Sequence, residues 1–106
     1  MEEFGEKVVL HIPLSRYENG ELVSLEIGEI IDELVVDMGI ESCYATEVKS
    51  YYKGRIYPEL LITVFGSQSE SIIDTFRKWI VKHSETLGQE SYAIELQNRL
   101  IILDDE

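Results

Sequence analysis

The sequence predicts an α+β fold: a ferredoxin-like β-α-β-β-α-β sandwich, whose antiparallel sheet has the strand order 4-1-3-2 and carries both helices on one face. Three observations predict it. Two segments repeat apolar residues at helical spacing, an alternating segment precedes the first of them, and two β-rich segments joined by Lys53-Gly54 lie between them. A chain of 106 residues with 44% apolar content is long enough for one core, so we expect a single domain over residues 1–106.

The first strand is predicted over residues 7–15. Its apolar residues alternate, which places one set on the buried face of a sheet and His11 on the opposite face. Asn19-Gly20 follows as a turn signal that ends the strand. The buried set is Val8, Leu10, Ile12 and Leu14.

The first helix is predicted from Ser24, which suits the N-cap, to Gly39, which suits the position after the last helical turn. Between them, apolar residues recur every three or four positions and form a single stripe. Most of the other positions are acidic, so we expect a surface helix with one buried face. The stripe consists of Ile27, Ile30, Ile31, Leu34, Val35 and Met38.

Residues 42–66 predict two strands joined by a tight turn at Lys53-Gly54. Aromatic and β-branched residues flank this turn, and its glycine accepts the positive φ that such a turn requires. The second helix is then predicted to begin with a capping box, in which Ser67 is the N-cap and Glu70 lies three residues later.

The second helix is predicted to run to Leu87, where Gly88 ends it. Its inward stripe includes His83. The last strand begins at Ser91, and Gln97-Asn98 bends it into either a short hairpin or a bulge.

The formal net charge of −12 argues against direct binding of nucleic acid, because such a surface repels phosphates. Residues 17–48 contain nine acidic residues and no lysine or arginine. Two interpretations remain open: a solvated helix face, or a surface that docks a basic protein as an inhibitor or a nucleic-acid mimic. The docking surface would consist of Glu26, Glu29 and Glu33.

A cytoplasmic, soluble protein is expected. The single cysteine, Cys43, cannot form an internal disulfide, and the acidic N-terminus does not resemble a signal peptide. No apolar stretch approaches the roughly 20 residues of a membrane span. The sequence has no glycine-rich phosphate loop, nucleophile elbow or metal-spaced cluster, so we predict no cofactor and no metal.

His11 is the most informative single residue. In this topology it lies on the sheet face that the helices leave open, where Glu95 of the last strand could approach it. A histidine beside a carboxylate could act as a general base, which makes His11 and Glu95 candidate catalytic residues. The alternative is a His–Glu hydrogen bond within a homodimer interface. His11 and His83 should lie on opposite sides of the sheet, which disfavours a shared metal.

Three sequence landmarks resemble a small bacterial family known as a domain of unknown function. They are "PLSRYENGELVS" (13–24), "YYKGRIYPELLITVF" (51–65) and "LGQESYAIEL" (87–96), the last with a Gly-Gln-Glu-Ser motif before the final strand. The resemblance implies a ferredoxin-like fold and no established activity. It implies a binding site at Glu59, Gln89, Glu90 and Ser91, and in the predicted topology Glu59 and Glu90 would meet at one edge of the sheet. The alternative is that Gln89 and Ser91 only satisfy the carbonyl groups at the end of the second helix and fix the turn.

Three functions therefore remain open. The first hypothesis is a non-enzymatic binding or regulatory module that forms a homodimer through its open sheet face. The second is the acidic inhibitor or mimic, which docks a basic protein through the first helix. The third is an enzyme of the small dimeric α+β barrel type that uses His11 with a carboxylate.

Overall fold

The computed structural model describes residues 6–66 and 68–104. It has an α+β fold, with a five-stranded sheet, a separate two-stranded hairpin and helices packed against one face of the larger sheet. In chain order the elements are β1 (Lys7–Pro13), β2 (Ser15–Glu18), β3 (Glu21–Ser24), α1 (Gly28–Met38), β4 (Tyr44–Tyr52), β5 (Arg55–Phe65), α2 (Ser69–Lys82), α3 (Ser84–Leu87), β6 (Ser91–Leu96) and β7 (Arg99–Asp104).

The ferredoxin-like prediction with a four-stranded sheet in the order 4-1-3-2 is wrong. The main sheet is antiparallel and has five strands in the order β4-β5-β1-β6-β7. The fifth strand exists because Gln97-Asn98 is a two-residue hairpin turn, with Gln97 at φ 57°. This turn folds residues 99–104 back onto β6.

A second hairpin, β2–β3, forms a two-stranded sheet of its own. Its turn is Asn19-Gly20, where both residues have positive φ (51° and 81°), as the tight type I′ hairpin turn requires. Ser24 consequently ends a strand and does not cap a helix. The α1 helix begins later than predicted, after Ile27, while Gly39 ends it with φ 62° as expected.

The second helical region is divided in two. The α2 helix follows Gln68 and ends at Lys82, and α3 follows His83, which has the non-helical φ of −112°. The predicted cap at Ser67 lies outside the described residues.

The core lies between the helices and one face of the sheet. The predicted stripes face it: Phe76, Leu34 and Leu87 are fully buried against the strands. The indole N–H of Trp79 donates to the backbone oxygen of Ile30 (2.7 Å), which joins α2 to α1. The buried sheet residues include Val8, Leu10, Ile12, Ile62, Val64, Tyr92, Ile94 and Leu103.

The end of α3 is held by the β2–β3 hairpin. Gly88 has φ 62°, and its N–H donates to the oxygen of Ser84 (2.9 Å). One guanidinium nitrogen of Arg16 donates to the backbone oxygens of Glu85 (2.9 Å) and Thr86 (3.1 Å). Arg16 thus satisfies carbonyl groups that a helix end leaves without partners.

We predict that Gly88→Ala destabilises the protein by about 1–2 kcal/mol, the typical cost of placing a side chain in the left-handed region. The added Cβ would also lie 2.8 Å from Cδ of Arg16, so Arg16 would have to move from α3. Urea denaturation measures the change. The matched control is Gly28→Ala, because Gly28 has no positive φ and a Cβ there meets nothing within 4 Å. Equal stability of the two variants would contradict the prediction.

Candidate functional site

The sheet face opposite the helices carries a histidine between two carboxylates. His11 Nε2 lies 2.7 Å from Glu95 Oε2, and His11 Nδ1 lies 3.3 Å from Glu59 Oε1. Glu95 pairs with Val9 across β1–β6, and Glu59 pairs with Pro13 across β1–β5. His11 is therefore diagonal to both carboxylates, at a spacing that long side chains can bridge. We call these three residues the His11 cluster.

A hydroxyl from β4 completes this arrangement. Ser50 Oγ donates to Glu59 Oε1, so Glu59 is bonded from two strands. The side chains of His11 and Glu59 are 14% and 18% exposed, whereas that of Glu95 is 40% exposed. Glu95 is therefore the member of the cluster most accessible to a ligand.

The pKa values of the cluster reflect its charges. Burial alone lowers the pKa of His11, but the hydrogen bonds and negative charges of Glu59 and Glu95 outweigh it, so the pKa is raised above its ordinary value of 6.5. Burial alone raises the pKa of Glu59, but hydrogen bonds from His11 and Ser50 outweigh it, so that pKa is lowered. The folded protein thus favours an imidazolium beside ionised carboxylates.

These bonds limit what His11 can do chemically. Each ring nitrogen faces a carboxylate oxygen, and the imidazolium can donate to both. A general base needs a free nitrogen, which here requires breaking one of the two bonds. His11 is better suited to holding Glu59 and Glu95 in place, and the cluster has a net charge of −1 when His11 is protonated.

Aromatic residues lie at one end of the cluster. Tyr57 is two residues before Glu59 on β5 and pairs with Ser50 of β4, so it shares their face. The ring of Tyr17 meets that of Tyr57 edge to face, with centroids 5.6 Å apart and an interplanar angle of 72°. Cζ of Arg55 lies 4.7 Å from the Tyr17 ring centroid.

Exposed apolar side chains lie on both sides of the same face, toward its two edges. Phe65 of β5 and Tyr44 of β4 have ring centroids 6.3 Å apart, and Leu100 and Ile102 project from β7. The strand registers place all four on the face that bears His11, and all four are exposed. The two pairs are separate, because Thr63, Val9 and Glu95 lie between Tyr44 and Leu100 in one row across the sheet. We call Leu100 and Ile102, the pair beside Glu95, the apolar patch.

The structure does not bring Gln89, Glu90 and Ser91 together with Glu59. The side-chain amide of Gln89 donates to the backbone oxygens of Ser15 (2.8 Å) and Leu87 (2.9 Å), which ties the α3–β6 connection to β2. Glu90 is exposed, and Ser91 is the first residue of β6. Gln89 therefore has a structural contact, while Glu59 belongs to the His11 cluster.

The acidic residues proposed as a docking surface are divided. Glu26 precedes α1, and Glu29 is exposed in its first turn. The carboxylate of Glu33 bonds Lys82 of α2 and lies 3.1 Å from Nε2 of His83. Glu33, one of the three residues expected to contact a basic partner, therefore links α1 to α2 instead. His83 lies on the helix side of the sheet, as predicted.

Neither a metal site nor a membrane span was found in the part of the chain that the structure describes. Within residues 6–66 and 68–104, no group of three or more His, Cys, Asp or Glu is arranged to hold a metal ion. The helices in the same ranges are too short or too polar to cross a membrane.

Two solved structures share this fold. One is a phage SAM lyase in its apo state, with 16% sequence identity and a TM-score of 0.65. The other is a phage SAM lyase in complex with S-methyl-5′-thioadenosine, with 14% identity and a TM-score of 0.66. Each comparison covers 100% of this chain and 96% of the other. No family model and no curated protein matches the chain.

This finding overturns the first hypothesis, a non-enzymatic binding or regulatory module. The fold that the chain shares is the fold of an enzyme, and the geometry adds a half-buried pair of carboxylates that such a module does not require. The third hypothesis, a small α+β enzyme that uses His11 with a carboxylate, fits the finding better.

We predict that His11 titrates above pH 6.5 and that Glu59→Gln or Glu95→Gln lowers its pKa by about one unit or more, because each variant removes a neighbouring negative charge. Imidazole signals in NMR spectra measure this, and His83→Gln assigns the two histidines. A pKa at or below 6.5, unchanged in both variants, would contradict the prediction.

The same shifts make stability depend on pH. The raised pKa of His11 contributes stability that is complete below pH 6.5 and is lost as the pH rises through the folded-state pKa. The lowered pKa of Glu59 contributes stability above pH 4.5 that is lost as the pH falls through its folded-state pKa. Both contributions are present together between pH 4.5 and 6.5.

Proposed function

We propose that this chain is a lyase that cleaves S-adenosylmethionine or a closely similar sulfonium nucleoside, and that the His11 cluster binds the cationic part of the substrate. The observation that carries the proposal is the pair of carboxylates, Glu59 and Glu95, held on either side of His11 on an otherwise open sheet face. The fold shared with a SAM lyase over the whole chain supports it.

The charges of cluster and substrate are complementary. S-adenosylmethionine carries a sulfonium, an ammonium and a carboxylate, a net charge of +1 at neutral pH. The cluster combines two carboxylates with one histidine, so its net charge is −1 when His11 is protonated and −2 when His11 is neutral. Opposite charges on a partly buried surface attract more strongly than they do in bulk water. His11 also keeps the two carboxylates from repelling each other before substrate binds.

The departure of sulfur needs no proton donor on the protein. S-methyl-5′-thioadenosine is S-adenosylmethionine without its aminobutyrate group, so the bond that breaks joins sulfur to that group. The electron pair of the bond passes to sulfur, and the sulfonium becomes a neutral thioether that leaves without being protonated. If the four-carbon fragment closes a ring, its own carboxylate forms the new C–O bond as the C–S bond breaks, and no proton moves. If it eliminates instead, a proton from the adjacent carbon passes to a base, for which the exposed carboxylate of Glu95 is available.

Electrostatics decide which cation should face the carboxylates. The positive charge on sulfur disappears in the transition state, so a carboxylate in contact with sulfur would stabilise the substrate more than the transition state. The charge of the ammonium persists throughout the reaction. We therefore place the ammonium against Glu59 and Glu95, where the carboxylates orient the substrate without opposing bond cleavage.

The proposal predicts that the purified protein converts S-adenosylmethionine to S-methyl-5′-thioadenosine. Liquid chromatography coupled to mass spectrometry measures the product. Glu59→Gln and Glu95→Gln should each lower kcat/KM by about tenfold or more, because a hydrogen bond to a charged group contributes about 1.5–3 kcal/mol. Asp74→Asn on α2 is the matched control, since it removes one negative charge away from the cluster and should leave kcat/KM unchanged.

Two outcomes would count against the proposal: a wild-type protein that neither binds nor cleaves the sulfonium, or cleavage that both glutamine variants retain in full. The mass of the four-carbon product separates proton loss from ring closure, because ring closure gives a lactone.

We propose in addition that the chain self-associates through its open sheet face. The apolar patch lies on this face beside the His11 cluster, and contiguous exposed apolar side chains of this kind mark interaction surfaces. A second copy is the occupant that supplies a matching apolar patch without requiring another protein.

Sedimentation of the wild-type protein should give a mass above that of one chain, 12.2 kDa. Ile102→Lys should shift the protein toward the monomer, because it places a charge in the patch. Val81→Lys is the control, since Val81 is an exposed apolar residue on α2 and lies outside the patch. A monomeric wild type, or equal dissociation of both variants, would contradict this proposal.

A further inference from the structure

We infer that Tyr57 and Tyr17 form the subsite that binds the purine ring of the substrate, and that they determine specificity for a nucleoside. This inference rests on the proposed function and names the part of the substrate that the His11 cluster does not bind. Both tyrosines are half-buried, and both lie at the end of the cluster away from the apolar patch.

The spacing of the strand suits a substrate with a charge at one end and a flat base at the other. Tyr57 and Glu59 are alternate residues of β5 and point to the same face, about 6.6 Å apart along the strand. Ser50 pairs directly with Tyr57 and bonds Glu59, so the aromatic ring and the carboxylate flank one hydroxyl. A ligand whose ammonium meets Glu59 and Glu95 can therefore extend along β5 toward Tyr57.

The two rings are fixed before any ligand binds. The hydroxyl of Tyr17 donates to the backbone oxygen of Ile56 (2.9 Å), which fastens β2 to β5. The edge-to-face contact with Tyr57 and the guanidinium of Arg55 over the Tyr17 ring restrict Tyr17 further. An aromatic surface that is already ordered loses little conformational entropy when a flat ligand stacks on it.

The residues behind the hairpin serve the same purpose. Gln89 donates to the backbone oxygen of Ser15. Arg16, the residue immediately before Tyr17, donates to two backbone oxygens of α3. The β2–β3 hairpin is thus attached to the helical side of the molecule and to β5 at once. Gln89 of the Gly-Gln-Glu-Ser motif is therefore a positioning residue for Tyr17, at a distance from the substrate.

The two phenol rings are suited to a flat base such as a purine. Stacking of a base on an aromatic side chain contributes about 1–3 kcal/mol and needs only a flat π-face. The phenol rings supply such a face, and the Arg55 guanidinium above Tyr17 adds a planar group of the kind that also stacks on bases.

The test uses two probes that divide the substrate. S-methyl-5′-thioadenosine contains the nucleoside and no ammonium, and S-methylmethionine contains the sulfonium and the ammonium and no nucleoside. Calorimetry should show that Tyr57→Leu weakens binding of S-methyl-5′-thioadenosine by about tenfold, equivalent to about 1.4 kcal/mol, and leaves binding of S-methylmethionine unchanged. Glu95→Gln should show the opposite pattern.

Two further variants serve as controls. Tyr57→Phe keeps the ring and should retain binding of S-methyl-5′-thioadenosine. Tyr51→Leu removes an exposed tyrosine of β4 from the other face of the strand and should have no effect. Where Tyr57→Leu does not fold, by circular dichroism, Tyr17→Leu provides the same comparison from β2.

The results separate this inference from the proposed function. Wild-type cleavage of S-adenosylmethionine, combined with unchanged binding of S-methyl-5′-thioadenosine by Tyr57→Leu and Tyr17→Leu, overturns the subsite and leaves the function standing. A wild type that binds S-methylmethionine and not the nucleoside also overturns the subsite. A wild type that binds neither probe and cleaves nothing overturns both.

Discussion

The alternation of side chains along β1 is the constraint on which both the core and the candidate site depend. Leu10 and Ile12 point into the core, so His11 between them must point to the opposite face. A shift of one residue in the register of β1 would exchange the two faces and expose the apolar set to water. The burial of β1 against the helices thus fixes the position of His11 between Glu59 and Glu95, and packing energy on one face maintains charge geometry on the other.

That geometry explains how a chain with a net charge of −12 keeps two of its carboxylates together on a half-buried surface. Removing a carboxylate from water has a cost, and two neighbouring carboxylates repel each other. The imidazolium of His11 offsets both effects for Glu59 and Glu95, and the hydroxyl of Ser50 bonds Glu59 from a third strand. The arrangement holds two carboxylates at a defined position, whereas most of the other acidic side chains within residues 6–66 and 68–104 are exposed.

Local signals in the sequence were sufficient for the presence of two helical regions and their buried stripes, for the turn at Lys53-Gly54 and for the approach of Glu95 to His11, but not for where the helices begin and divide. Because that turn has two residues, it also fixes the pairing of Ser50 with Tyr57 by simple counting. The contact between Glu59 and His11 was missed, since the register of β1 against β5 joins residues 48 positions apart and no turn sets it. The β2–β3 hairpin was missed because its strands have four residues each and alternate weakly, although Asn19-Gly20 marks its turn. The topology was wrong at Gln97-Asn98, where a hairpin and a bulge were both compatible with the residues.

Because the helices cover only one face of the sheet, the other face is open, and it has three zones that follow one another across the strands. Tyr17 and Tyr57 lie on the β5 side, the His11 cluster lies in the middle, and the apolar patch lies on β7 at the far edge. A sulfonium nucleoside needs the first two zones, and a second copy of the chain needs the third. The two proposed uses therefore do not compete for the same residues. A copy seated on the apolar patch would lie beside Glu95, the most exposed member of the cluster, and would exclude water there. Loss of water strengthens the attraction between the carboxylates and an ammonium, so association on the apolar patch would favour binding at the His11 cluster.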